Sequence, residues 1–117
     1  MIKHQEMPRR TFLSDFELIV LLAVMRVGEE AYGVPVAREI EDTTRRTVDI
    51  AVIYGTLQRL ESKGLVSSAL GDPTATRGGR AKRFFRVTGK GIREARQAQQ
   101  ALVAMWRGLP QLKGGLS

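Results

Sequence analysis

Between residues 77 and 91 the chain reads RGGRAKRFFRVTGKG, with six cations (Arg77, Arg80, Lys82, Arg83, Arg86, Lys90) and no carboxylate. Cations of one sign can neutralise a row of phosphates, whereas a merely solubilising face mixes signs. Other chemistry fails on inventory. The TGKG at residues 88–91 lacks the glycine that a Walker loop needs five positions before Gly89, where Phe84 stands, and the hydroxyl residue after the lysine, where Gly91 stands. One histidine, His4, and no cysteine leave neither a Ser-His-Asp site nor a zinc site. Glu29, Glu30, Glu39, Glu41 and Asp42 read as solvated helix ends and faces. No enzyme activity and no cofactor are expected.

The whole chain supports a polyanion partner. Its 117 residues suit one domain, and a net charge of +7 with pI near 10.6 draws phosphates before any specific contact forms. Nucleic acid and anionic membrane are the two candidates. The longest apolar run, LIVLLAVM at residues 18–25, is far short of the ~20 residues of a membrane span, and Asp15 and Glu17 interrupt any secretion signal. The expected location is the cytoplasm, which the absence of cysteine suits.

The elements that must position the cations follow from periodicity and caps. Residues 1–13 form a basic flexible arm. Ser14 with Glu17 makes a capping box, Leu13 and Leu18 a hydrophobic staple, and a first helix runs to about Val27 before Gly28. That helix is apolar nearly all round, which suggests burial by its own domain and by a second subunit. Pro35 fits the first turn of a second helix whose core face includes Val36, Ile40 and Val34. Asp49 caps a third, with Ile50, Ile53, Leu57 and Leu60 on one side and Gly64 at its end. LVSSAL and AKRFFRV make a β-hairpin around a Gly/Pro-containing loop, Phe85 and Val87 pointing inward. Thr88 caps a last helix in which Ile92, Ala95, Gln99, Leu102, Trp106 and Leu109 follow a coiled-coil rhythm.

Mainly α with a small β-hairpin, in the order three helices, hairpin, helix, is the winged helix-turn-helix arrangement, in which the third helix enters the major groove of DNA and the hairpin follows the backbone. The domain is expected over residues 14–88, a dimerisation helix over 89–112 and a tail over 113–117. On this reading Lys82, Arg83, Arg77 and Arg80 meet phosphate, and Ala51, Val52, Gly55 and Gln58 face bases. That set has little hydrogen-bonding capacity, so base reading is weak or centred on thymine methyl groups. Arg45, Arg46 and Thr47 reach phosphate or stay solvated. Tyr54 reads either as a phosphate contact or as a half-buried core residue. Trp106 is read as an interface anchor in preference to a ligand-stacking ring, and Gln99 fixes register or faces solvent.

DIAVIYGTLQRLESKGLV followed by GGRAKRFFRVTGKGIREA resembles the PadR-type transcriptional regulators. Tyr54, Leu57, Arg59, Leu60, Glu61, Gly64, Leu65 and Val66 match one motif of that family, and Arg80, Arg83, Phe84, Phe85, Arg86, Thr88 and Gly91 match the other. AYGVPVAREIE resembles the family's lead into its second helix, and the likeness covers roughly residues 14–107. Phe-Phe stands where Tyr-Tyr is commoner, and Asp49 where Ser is common. The resemblance implies a homodimeric repressor of the compact subgroup, binding double-stranded DNA at a pseudo-palindromic operator and joined through its first and last helices. It also implies that Tyr54 contacts phosphate and, from some relatives, a small aromatic effector. The rival reading is a basic adaptor for acidic protein or a membrane surface, without operator specificity. A lipid surface calls for cations beside an apolar helical face, and here they lie on a hairpin.

Overall fold

The computed structural model describes residues 13–71 and 81–113. The expected arm before Leu13, the hairpin tip with Arg77 and Arg80, and the tail from residue 114 lie outside the described residues. The element order is α1 (Asp15–Val27), α2 (Gly33–Thr44), α3 (Ile50–Ser62), β1 (Val66–Leu70), β2 (Arg83–Val87) and α4 (Gly89–Trp106), with short 3-10 turns at Gly28–Glu30 and Pro110–Leu112. Mostly helical with one hairpin, this is the winged-helix order.

Helix α1 starts where the capping box expects it. Ser14 Oγ accepts the Glu17 N–H at 3.1 Å, and Glu17 Oε1 accepts the Ser14 N–H at 2.9 Å. The helix stops at Gly28, whose φ of +82° favours a residue without Cβ. Between these ends Val20, Leu21, Ala23 and Val24 are buried, while Leu22 and Met25 stay exposed. Val36 and Ile40 of α2 and Ile53, Leu57 and Leu60 of α3 complete the core beneath it.

Two expected core positions are corrected. Val34 is exposed because it lies two residues from Val36, about 200° around the helix, and cannot share its face. Ile50 is exposed because it opens α3, at the uncovered end of the face whose buried run begins at Ile53. Thr56 occupies the interior in its place, its hydroxyl donating to the Val52 carbonyl at 2.8 Å.

The strands pair antiparallel, Val66 opposite Val87 and Leu70 opposite Arg83. Phe85 is buried and Val87 packs against the core, the inward pair expected from alternation. Strand β2 gains one bond on its other edge, from the Phe85 N–H to the Ala31 carbonyl at 2.8 Å. Thr88 then joins the pieces: its N–H donates to the Leu65 carbonyl, its hydroxyl donates to the Gly64 carbonyl, and Oγ1 accepts the Gly91 N–H that opens α4. A Cβ at Gly91 would collide with the Leu65 carbonyl, so α4 crosses there at close range. Ala95, one turn on and on the same face, is consequently buried in the chain's own core, and its assignment to the self-association seam is corrected. Beyond it Leu102 and Met105 stand exposed. Among the described residues no helix is long and apolar enough to cross a membrane.

Glu17 is the one buried charged residue among those described. Its Oε2 accepts from Lys63 Nζ at 3.0 Å and lies 3.6 Å from Arg59 Nε, so one carboxylate ties the start of α1 to the end of α3. Burial acts to raise its pKa, but the Ser14 N–H and the Lys63 and Arg59 charges outweigh that, holding it below the ordinary 4.5. A carboxyl depressed in the folded state contributes stability above its unfolded pKa and loses it as pH falls through the folded value. Glu17→Gln should therefore lower stability at pH 7 by about 1–3 kcal/mol. The gap from the parent should close below about pH 4.5, read as urea midpoints across a pH series; a gap that is constant with pH would mean the carboxylate charge is not what matters.

Candidate nucleic-acid interface

Helix α3, expected from the sequence to enter the groove, is pinned at both ends. At its start Asp49 Oδ1 accepts the Ala51 N–H at 2.8 Å, and the preceding turn is braced by Glu41 Oε2, which accepts the Val48 N–H at 3.0 Å. The Asp49 charge is thus occupied in capping. At its end lies the Glu17 cluster. With Ile53, Thr56, Leu57 and Leu60 turned inward, Ala51, Val52, Tyr54 and Gln58 are left exposed and Gly55 half-buried. Arg45, Arg46 and Thr47 stand exposed in the turn just before, where Arg45 adopts the left-handed conformation, φ +66°. That turn reverses the chain between α2 and α3 and carries two cations at its outer edge.

Tyr54 is part exposed and part packed. It is 40% exposed, yet its ring lies on Gly33, the first residue of α2, so closely that a Cβ there would overlap the phenol. The hydroxyl end therefore sits at the edge between α3 and the start of α2.

Two of the described hairpin cations have partners within the protein. Lys82 Nζ stands 4.5 Å over the Tyr32 ring centroid and 3.4 Å from its hydroxyl, and Phe84 meets the same ring edge-on at 5.5 Å. Arg83 donates to Ser68 Oγ at 2.9 Å, and that hydroxyl donates to Glu61 at 2.7 Å. Arg59, a match to the family motif, bends along its helix to Thr56 and Glu17 while its side chain stays 58% exposed. Lys90 is bound to the Lys63 carbonyl, while Arg86 is exposed.

Tyr32 and Gly33 were not among the sequence candidates. Tyr32 touches the hairpin and Gly33 touches α3, so two consecutive residues place Lys82 and Tyr54 on neighbouring parts of one surface. The only sequence signal was their place in AYGVPVAREIE, which carries part of the resemblance. Glu17 as the partner of Arg59 had no local signal, since 42 positions separate them.

Along α4 and just past it, Ile92, Gln99, Leu102 and Leu109 are exposed, and Trp106 is half-buried with its indole N–H shielded and without an acceptor among the described residues. The 3-10 turn at Pro110–Leu112 brings Leu109, Pro110 and Leu112 around an open cleft shared with Val103 and Trp106.

Comparison with known proteins places this arrangement. A transcriptional regulator from Clostridium thermocellum is similar at TM-score 0.65 and 22% identity, over 76% of this chain and 81% of that one. A PadR family regulator from Eggerthella lenta is similar at TM-score 0.63 and 24% identity, over 80% of each chain. One from Clostridium difficile R20291 gives TM-score 0.66 and 19% identity, over 85% of this chain and 99% of that one. At such identities the likeness is one of fold. No curated protein matches the sequence. The model of the transcriptional regulator PadR-like family matches residues 21–97, well over half of the sequence, from the middle of α1 into α4, and the chain therefore belongs to the PadR-like family of transcriptional regulators.

Proposed function

We propose that this protein binds a pseudo-palindromic DNA operator as a homodimer and represses transcription there, the repressor role being carried over from the family resemblance. The observation that carries DNA binding is the common surface of the exposed side of α3, the Arg45–Arg46 turn and the base of the cationic hairpin, joined through Tyr32 and Gly33. A helix with small and apolar outward residues flanked by cations fits a groove lined by phosphates, the cations fixing position and the helix reading base edges. Arg45, Arg46, Thr47, Tyr54, Lys82 and Arg83 take the phosphate side of this division, while Ala51, Val52, Gly55 and Gln58 take the base side.

The dimer is supported by apolar surface that the chain does not cover. Leu102 is 52% and Met105 77% exposed on α4, and Leu22 and Met25 are exposed on α1. Beside them an apolar groove of about 410 Å³ runs between α1 and α2, lined by Ile19, Leu22, Ala23, Met25 and Ile40. A second copy covers both faces and sets the spacing of two recognition helices. Operator half-sites are then expected about one helical turn, roughly 10 bp, or a multiple of it apart.

Three outcomes test this reading. Binding should favour duplex DNA over anionic vesicles at matched salt, and Arg45→Ala or Arg46→Ala should weaken binding alike on operator and random duplex, each reducing the slope of log affinity against log salt by about 1. An unchanged slope would make those residues solvated charges only. Val52→Ala or Gln58→Ala should shift preference at one operator position by about 1–3 kcal/mol with random-duplex affinity nearly intact. A preference profile that does not move places base reading elsewhere. Leu102→Glu should give a monomer in light scattering that keeps its circular dichroism and loses most operator affinity. A monomeric variant binding at full strength would overturn the dimer.

A further inference from the structure

Residues 31–33, Ala-Tyr-Gly, make three different attachments in sequence. The Ala31 carbonyl accepts the Phe85 N–H at 2.8 Å and fixes the backbone of β2. The Tyr32 ring takes the Lys82 ammonium on its face and the Phe84 ring against it at an interplanar angle of 85°. Phe84 also lies close over Gly71, just past β1, where a side chain would collide with its ring. Gly33 accepts the Tyr54 ring in the space a side chain would fill. The hairpin and the recognition helix thus meet on one short segment.

Such a segment has a task in DNA binding. A two-stranded hairpin holds no fixed direction by itself. Phosphates along a duplex are rigidly spaced, so a hairpin and a helix that bind together gain affinity only when their separation is set beforehand. We infer that residues 31–33 set the separation of hairpin and recognition helix, with Tyr32 a positioning residue that acts through Lys82 and Phe84, and Gly33 one that acts through Tyr54. The inference rests on the proposed DNA-binding reading. It assigns Lys82 a first duty to Tyr32 within the protein, its ammonium held over the phenol ring.

The test uses the full chain and a mixed-sequence duplex long enough to span two half-sites, with a stoichiometric titration to correct for active fraction. Tyr32→Ala should weaken binding about tenfold and reduce the salt slope by about 1, while Tyr32→Phe, which keeps the ring, stays near the parent. A fold made merely less stable lowers the active fraction and leaves slope and corrected affinity unchanged. In the Tyr32→Ala background Lys82→Ala should have little further effect. Gly33→Ala should weaken binding in the parent and not in a Tyr54→Ala background, an arm that stands even where Tyr32→Ala folds poorly. Additive losses in both pairs, or parent-like affinity and slope for Tyr32→Ala and Gly33→Ala, would overturn the inference while leaving DNA binding intact. A parent chain that does not bind duplex would overturn the DNA-binding reading itself, and the inference with it.

Discussion

One buried carboxylate holds α3, the proposed reading helix, in place. Glu17 satisfies the first turn of α1 with one oxygen and takes Lys63 and Arg59 of the α3 end with the other. A charge inside a core is tolerated only when its lone pairs are filled, and here each oxygen has a donor. The price is geometric: α3 cannot slide along α1 without leaving the carboxylate unpaired. Apolar contacts of Ile53, Leu57 and Leu60 would tolerate small shifts, since dispersion is non-directional, so the ionic contact supplies the register that packing alone does not.

From that register the surface follows. With the inner side of α3 consumed by the core, the outward side is fixed, and the Asp49 cap with the Glu41 brace fixes where the Arg45–Arg46 turn must lie. The hairpin is attached on one side through Thr88 and on the other through Ala31 and Tyr32. Its base is therefore held from two directions. Helix α4 departs from the same Thr88 junction, so the element proposed to pair two subunits is anchored a few residues from the proposed wing.

Much of this was legible because it is local. The Ser14 and Glu17 box, the Asp49 and Thr88 caps, the Gly28 stop and the inward Phe85 and Val87 all depend on residues within four positions or on strand alternation. The misplaced positions have equally definite causes. Val34 lies about 200° around α2 from Val36 and so leaves the core face expected of it, and Ala95, whose spacing suits a seam, is drawn inward where Gly91 brings that turn onto Leu65. Glu17 with Arg59, and Tyr32 with Lys82, join residues 42 and 50 positions apart, and no periodicity encodes such meetings. The likeness to the PadR family supplied the fold without supplying these partners.

The one-signed charge of the hairpin is not uniform in its bonding. Several cations already have protein partners, and those partners differ in what release would cost. Arg83 is held by the half-buried Ser68, itself bonded to the exposed Glu61, the kind of surface contact worth about 0–1 kcal/mol that a phosphate can readily replace. Arg59 leans on a buried carboxylate, and its departure would remove part of the charge that compensates Glu17, so phosphate has more to offset there. Lys82 lies between these cases, partnered by a ring whose attraction persists only while the hairpin base is closed. The described cations are thus graded by attachment: Lys63 and Arg59 are tied to the buried Glu17 carboxylate, and Arg83 is held only at the surface. A sequence count of +7 treats all of them alike, while the fold separates cations that tie helices together from those that a proposed phosphate partner could recruit.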